Sequence, residues 1–270
     1  MLTVENTKVE GWEQAIRGMR NPMNSWAKSD SCFGRYNDDS FYKITGELCS
    51  ADDFPHPYSV YPDDKPNVIL GPNDKDLMKR LASAGKDHAK YRRMIIVWCD
   101  ILAPLYWWKE FDTYKIGTVA NSCSTMHKIA EKEFTLDDFS HEHLIDSMYT
   151  SFDSEEELEK AGAWTTRFVD VGEGEKIYEG KFAMDILRDT VDALNAYRKI
   201  YLVTKDKRYW WQMIQLLPSS YNQRRTVMLN YEVLANIYHA RKDHKLDCWH
   251  TFCDWAKELP ESWIFTGEDA

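Results

Sequence analysis

Asn230 and Arg241 stand eleven residues apart. That is three turns of an α-helix at about 3.6 residues per turn, so the two project from nearly the same face. Leu234 and Ile237 lie between them on that stripe. An amide at one end, a guanidinium at the other and an apolar middle suit a flat, amphipathic ligand. Arginine is the natural anchor for a phosphate or carboxylate. Spacing alone leaves a plainer reading open, two helix-surface residues making ordinary contacts. Other clusters are weaker. In His141-Glu142-His143 residues two apart do not share a helix face, so a solvated helix start competes with a metal site. His239, Asp243 and His244 fit a helix C-terminus, where histidines meet the dipole. Cys248 and His250 flank Trp249, and such near neighbours on a helix diverge rather than form a nucleophile–base pair. The phosphate-loop, dinucleotide-fingerprint, nucleophile-elbow and zinc-protease motifs are absent.

Elements must position these groups. The 270 residues are 43% hydrophobic, enough for a core, and one α+β domain over 1–270 is expected. A net charge of −10 opposes binding to a nucleic acid polymer, which needs a basic face. Eleven tryptophans must line cores, pockets or subunit interfaces. None of the six cysteines forms a Cys-x-x-Cys pair, and reduced thiols in a cytosol are the simpler expectation. The opening MLTVENTKVE has no apolar h-region, so a cytoplasmic chain is expected. Met94–Trp108 is too short to span a bilayer, so no membrane partner is expected. A helix is expected around Gly11–Met19, an irregular region over 30–75, and a helix from Asp76 to Gly85 carrying Leu77 and Leu81. Met94–Cys99 reads as a buried strand and Ala103–Asp112 as a helix with Pro104 in its first turn. Residues 131–182, with the acidic run Asp153–Glu159, read as a peripheral insertion. Asp185–Tyr201 (stripe Ile186, Thr190, Ala193, Leu194, Tyr197, Tyr201), Thr226–Arg241 and Lys245–Lys257 read as helices.

Leu217-Pro218, then Asn230 twelve residues after the proline, Leu234 four later and Arg241 eleven after the Asn, resemble the C-terminal block of the flavin-dependent thymidylate synthases. The family's Arg two after the Asn is Glu232 here, and its following Ala-Gln-x-Glu helix reads Leu246-Asp247-Cys248-Trp249. Met94–Trp108 is similar to the stretch before the family's flavin motif. Counting on without gaps, Lys109 and Glu110 fall on the family's Arg-Gln. Thr113, Tyr114 and Lys115 fall on its Arg-His-Arg, and Thr118 on the Ser that follows. Ala120 and Asn121 fall on Asn-Glu, Cys123 on the next Ser, and Thr125 on the closing Arg. The scaffold is similar, and the signature motif is degenerate. The resemblance covers about half the chain, roughly 76–128 and 185–258.

The resemblance implies an α+β fold of the flavin-dependent thymidylate synthase type, mixed helices around a small sheet with a peripheral helical insertion. It implies reductive methylation of dUMP or a related pyrimidine nucleotide, in a homotetramer with sites between subunits. The flavin carries the hydride, so no protein nucleophile is required. Its site residues carry over as Arg241, Glu110, Asn121, Cys123 and Thr125 for the substrate, and Asn230, Thr113, Tyr114, Lys115 and Thr118 for FAD. NADPH and methylene-tetrahydrofolate would be co-substrates. Arg224, Arg225 and Lys115 are further cations for an anionic nucleotide. Tyr114 could stack on a ring or serve as an interface tyrosine. The alternative is a non-catalytic homologue that binds a nucleotide or a protein.

Overall fold

The computed structural model describes residues 2–34, 40–50, 68–146, 156, 167–170, 176–179 and 181–267. Its strands are β1 (Thr3–Glu10), β2 (Cys32–Gly34), β3 (Phe41–Lys43), β4 (Val68–Ile69), β5 (Ile96–Pro104), β6 (Val119–Ser122), β7 (Arg167–Asp170), β8 (Lys176–Glu179) and β9 (Asn222–Asn230). Its helices are α1 (Trp12–Arg20), α2 (Pro72–Ser83), α3 (Leu105–Phe111), α4 (Thr125–Lys128), α5 (Ala183–Thr204), α6 (Lys207–Leu216), α7 (Tyr231–Arg241), α8 (Asp247–Lys257) and α9 (Trp263–Thr266). The chain divides into two compact units interleaved in sequence. The larger comprises 2–101, 111–121 and 225–270, the smaller 102–110 and 122–224.

A four-stranded sheet runs in the order β1-β5-β9-β6. In β5, Val97, Cys99, Ile101 and Ala103 alternate inward and are fully buried, while Trp98 between them is 45% exposed. This corrects the expected buried strand over 94–99. The strand starts at Ile96, runs to Pro104, and buries one face. Asp100 on its other face accepts from Asn6 Nδ2 at 2.8 Å and from Thr226 Oγ1 at 2.6 Å, so the one carboxylate on that face is hydrogen-bonded to its neighbours. Pro104 ends the strand rather than opening the helix, because the residue before a proline is driven to extended backbone. Gly11 lies at φ +91° before α1, and a Cβ there would sit 2.1 Å from the Met94 carbonyl oxygen, so only glycine fits.

The expected helix over Thr226–Arg241 begins as strand, its first five residues belonging to β9. Val227 and Leu229 are buried and Thr226 is exposed, a period of two, and the β-branched pair favours the strand. The switch comes at Asn230, whose Oδ1 accepts from the backbone N–H of Glu232 at 3.1 Å and of Val233 at 3.0 Å. That is an N-cap, and the helix proper begins at Tyr231. In the same unit β2 pairs antiparallel with β3 and β4, with Cys32 opposite Lys43 and Ile69. Cys32 and Cys49 form a disulfide across 17 residues, which overturns the expectation of six reduced thiols. Cys99, Cys248 and Cys253 are free and buried, and Cys123 is free and exposed. The helix expected from Asp76 starts four residues earlier at Pro72, and its buried residues are Asp74 and Met78, not Leu77 and Leu81.

In the smaller unit, Met184, Leu187, Val191 and Leu194 of α5 pack with Met213 of α6 and with Phe134 and Phe139. The expected stripe was displaced at its start. Ile186 is 48% exposed and Leu187 is the inward residue, although Leu194, Tyr197 and Tyr201 do join this core. Within the supposed helical insertion, β7 and β8 pair antiparallel, with Arg167 opposite Glu179. Most of the acidic run Asp153–Glu159 lies outside the described residues. No helix among the described residues is long and apolar enough to cross a membrane.

Candidate nucleotide site

In the larger unit the polypeptide leaving α3 forms a loop, Asp112–Thr118, that lies against both ends of α7. At the C-terminal end, Arg241 Nε donates to the Tyr114 hydroxyl at 3.0 Å. The same guanidinium sits 4.8 Å from the centroid of the Trp249 ring and 5.8 Å from that of Tyr114, and the two rings meet edge-on at 6.2 Å. Both aromatic faces attract the cation. At the N-terminal end, a Cβ on Gly117 would stand 2.7 Å from Asn230 Nδ2 and 3.2 Å from Val233 Cγ2, and the residue has φ +84°. A glycine is thus needed for the loop to close over the cap. Asn230 and Arg241 therefore do address one common feature. Leu234 and Ile237 do not form an apolar floor between them, since both are at most 1% exposed and belong to the core.

Around this pair the loop presents Thr113 and Lys115 to solvent and holds Tyr114 half-buried. Thr118 Oγ1 is buried without a hydrogen-bond partner. Asn121, on β6, is exposed. Arg225 donates to Asp112 at 2.8 Å with its side chain only 15% exposed, so it is committed to an ion pair and not offered to a ligand.

The smaller unit holds a second cluster by itself, a cavity of about 670 Å³, within the range of ligand pockets. Cys123 and Thr125 line it, and so do Lys128, Lys132, Asn222 and Arg224. Gln223 Nε2 bridges the two sequence-identified positions, donating to the Cys123 carbonyl at 3.1 Å and to Thr125 Oγ1 at 3.2 Å. Lys128 pairs with Glu131, and Lys132 with Asp138. Asn222 Oδ1 is buried and unpartnered. Burial raises the Tyr221 phenol, aided by the negative potential of Asp138 and Cys123, so it remains a hydrogen-bond donor at neutral pH. Glu110, half-buried in α3, lies in the same unit but does not line the cavity.

Trp249, Gln223 and Asn222 escaped the sequence reading. Trp249 was visible as an apolar position on α8, but its role beneath a guanidinium depends on a fold-back that spacing cannot reveal. Among the described residues no group of three or more His, Cys, Asp or Glu is placed to hold a metal ion.

The sequence matches no family model, and no curated protein matches it in sequence. Solved structures do match in fold. Thymidylate Synthase X (ThyX) from Helicobacter pylori, crystallised with FAD and dUMP, aligns over 100% of this chain and 98% of its own, at 15% identity and a TM-score of 0.54. A second structure of the flavin-dependent thymidylate synthase ThyX from Helicobacter pylori, complexed with FAD and dUMP, aligns over 99% and 98%, at 15% identity and a TM-score of 0.52. The UMP/dUMP methylase PolB from Streptomyces cacaoi, bound with 5-Br dUMP, aligns over 99% and 95%, at 11% identity and a TM-score of 0.49. The chain has the mixed helix-and-sheet fold of the flavin-dependent thymidylate synthases.

Proposed function

We propose that this protein binds a pyrimidine nucleotide and methylates it reductively with the help of a flavin, dUMP being the first substrate to test. The observation that carries the reading is the match in fold along essentially the whole chain to a protein crystallised with FAD and dUMP. Arg241 supplies the guanidinium for the nucleotide, already oriented by Tyr114 and Trp249. Cys123, Thr125 and Glu110, with Asn121, are the remaining proposed substrate residues. The residues present fit FAD at the orphaned Thr118 hydroxyl and the exposed Lys115 ammonium, with Tyr114 offering a ring edge and Asn230 and Thr113 completing the set. When bound, the flavin supplies the hydride. The chain's own part is to hold the nucleotide phosphate, keep the loop closed over α7 through Gly117, and exclude water beside the aromatic pair. NADPH and methylene-tetrahydrofolate are the proposed reductant and carbon donor, and the assembly is proposed to be a homotetramer.

One observation favours a second reading, a non-catalytic nucleotide-binding homologue. Lys115 is the only cation in the Asp112–Thr118 loop, and each charge-assisted hydrogen bond withdrawn from a phosphate weakens the grip by about 1.5–3 kcal/mol. The visible absorption spectrum of the purified protein, with and without added FAD, followed by calorimetric titration with dUMP, separates the two. A flavin band that co-elutes with protein, together with saturable dUMP binding, supports the enzyme. Saturable dUMP binding with no retained flavin supports the homologue. Binding of neither overturns both.

A further inference from the structure

A pocket of about 460 Å³ lies on the face of α7 away from Arg241, lined by Lys86, Arg92, Glu232, Ala235, Asn236, His239 and Ala240. Helix α7 is buried almost throughout, and only Asn236, His239 and Ala240, with Arg241 half-buried, reach solvent. Glu232, one turn below this exposed strip, is a carboxylate only 8% exposed. Its Oε2 has no hydrogen-bond partner, and neither does the buried Nε of Arg92. The two residues line the same pocket without an ion pair between them, so one buried carboxylate oxygen and one buried guanidinium nitrogen at its wall are without a partner. Buried polar atoms of this kind are costly to leave without a partner. Lys86 brings a second cation, its Nζ donating to Asn236 Oδ1 at 2.9 Å.

The charge pattern selects the ligand. A bare phosphate would suit Arg92 and Lys86 and would meet the Glu232 carboxylate uncompensated. A bare diamine would satisfy Glu232 and meet two cations. A molecule with one ammonium and two carboxylates matches one carboxylate and two cations. We propose that this pocket is a binding site for a small α-amino acid with an acidic side chain. Its ammonium donates to Glu232 Oε2, and its two carboxylates accept from Arg92 and Lys86. Ala235 and Ala240 leave room for the short carbon chain, and His239 closes the solvent side.

The test uses the full chain without nucleotide or flavin. Calorimetric titration with L-glutamate and L-aspartate is compared with glutarate, which has the same carboxylates and no ammonium. Saturable binding of at least one of the two amino acids is expected, with glutarate weaker by about tenfold or more, one charge-assisted contact being lost. Glu232→Gln preserves shape and should weaken the amino acid by about tenfold or more while changing glutarate little. Arg92→Met should weaken both ligands, and if that variant does not give the wild-type circular dichroism spectrum, Arg92→Lys replaces it. Absence of saturable heat from either amino acid at millimolar concentration overturns the proposal. So does glutarate binding as tightly as glutamate, or an unchanged affinity in folded Glu232→Gln.

Discussion

The Arg241 guanidinium is held by its own chain on two sides, by the Tyr114 hydroxyl and by the Trp249 face. That arrangement orients a cation, with the Nε–H given to Tyr114 and the guanidinium plane held beside Trp249. If Arg241 anchors a nucleotide phosphate, Arg241→Ala weakens dUMP binding by about 2–3 kcal/mol, some 30- to 150-fold in Kd. Arg241→Lys restores only part of this, because an ammonium lacks the planar fork. Equal affinity of wild type and alanine variant in calorimetric titration removes Arg241 from the site. A second expectation concerns the thiols. Burial, and then Asp100, pushes the Cys99 thiol up to about 12. Burial, with Asp254 and Asp243, pushes Cys253 up to about 11. Both folded-state values lie above neutral pH, so thiolate is scarce at those sites. Native protein should therefore show one fast-reacting thiol, lost in Cys123→Ser, then four on denaturation and six after reduction, following the four free cysteines and one disulfide. Six thiols before reduction would eliminate the Cys32–Cys49 bond. The Asn230–Arg241 spacing was legible because it depends on one helix alone. The partners Tyr114, Gly117 and Trp249 were not, because they arrive from a loop and a helix whose approach is set by tertiary packing.

At the level of elements, α1 and α2 are joined by a buried ion pair. Arg20 Nε donates to Asp74 Oδ1 at 2.7 Å, with side chains 4% and 0% exposed. Asp74 Oδ2 also accepts from the hydroxyls of Ser29 and Ser31, both at 2.7 Å. Asp30 caps the start of α2 from outside the helix, accepting from the backbone of Asn73 at 2.8 Å and of Asp74 at 3.1 Å. A carboxylate at a helix N-terminus is favoured by the dipole as well as by these bonds. Removing Asp74 would leave a buried guanidinium without its counter-ion, so Asp74→Ala should destabilise by about 3–5 kcal/mol. Chemical denaturation measures this, and a loss under about 1 kcal/mol would mean that water reaches Arg20. Sequence reading placed α8 and the later part of α5 well, since their apolar repeats are long enough to fix a phase, and it placed α1 to within one residue at each end. It failed where two elements meet without a break, at Pro104 and Asn230. There a proline and an asparagine each admit two roles, and only the neighbouring strands decide between them.

For the whole molecule, the question is what covers its exposed apolar side chains. β6 stands at an edge of the four-stranded sheet, and all four of its residues are exposed. In the larger unit Ile116 is 94% exposed, Val119 61%, Trp98 45% and Met94 41%. Unpaired strand edges and exposed large apolar residues are liabilities that proteins cover, charge or shorten. Beyond the resemblance, the sequence offered only its eleven tryptophans, and these could not tell assembly from core, because an interface residue and a core residue carry the same apolar signature. The tryptophans divide accordingly: Trp12, Trp107, Trp108 and Trp249 are buried, whereas Trp26, Trp98 and Trp211 are exposed. Light scattering at micromolar concentration should give a mass near four times 31.8 kDa. Val119→Lys should lower that mass while leaving the circular dichroism spectrum unchanged, since a charge on an edge strand disfavours pairing with another chain without touching the core. The dUMP affinity of the Val119→Lys protein then reports on where the site is built. A parallel loss of mass and affinity places the nucleotide site between subunits. A wild-type protein that is strictly monomeric and still binds dUMP puts the whole site within one chain and overturns the tetramer.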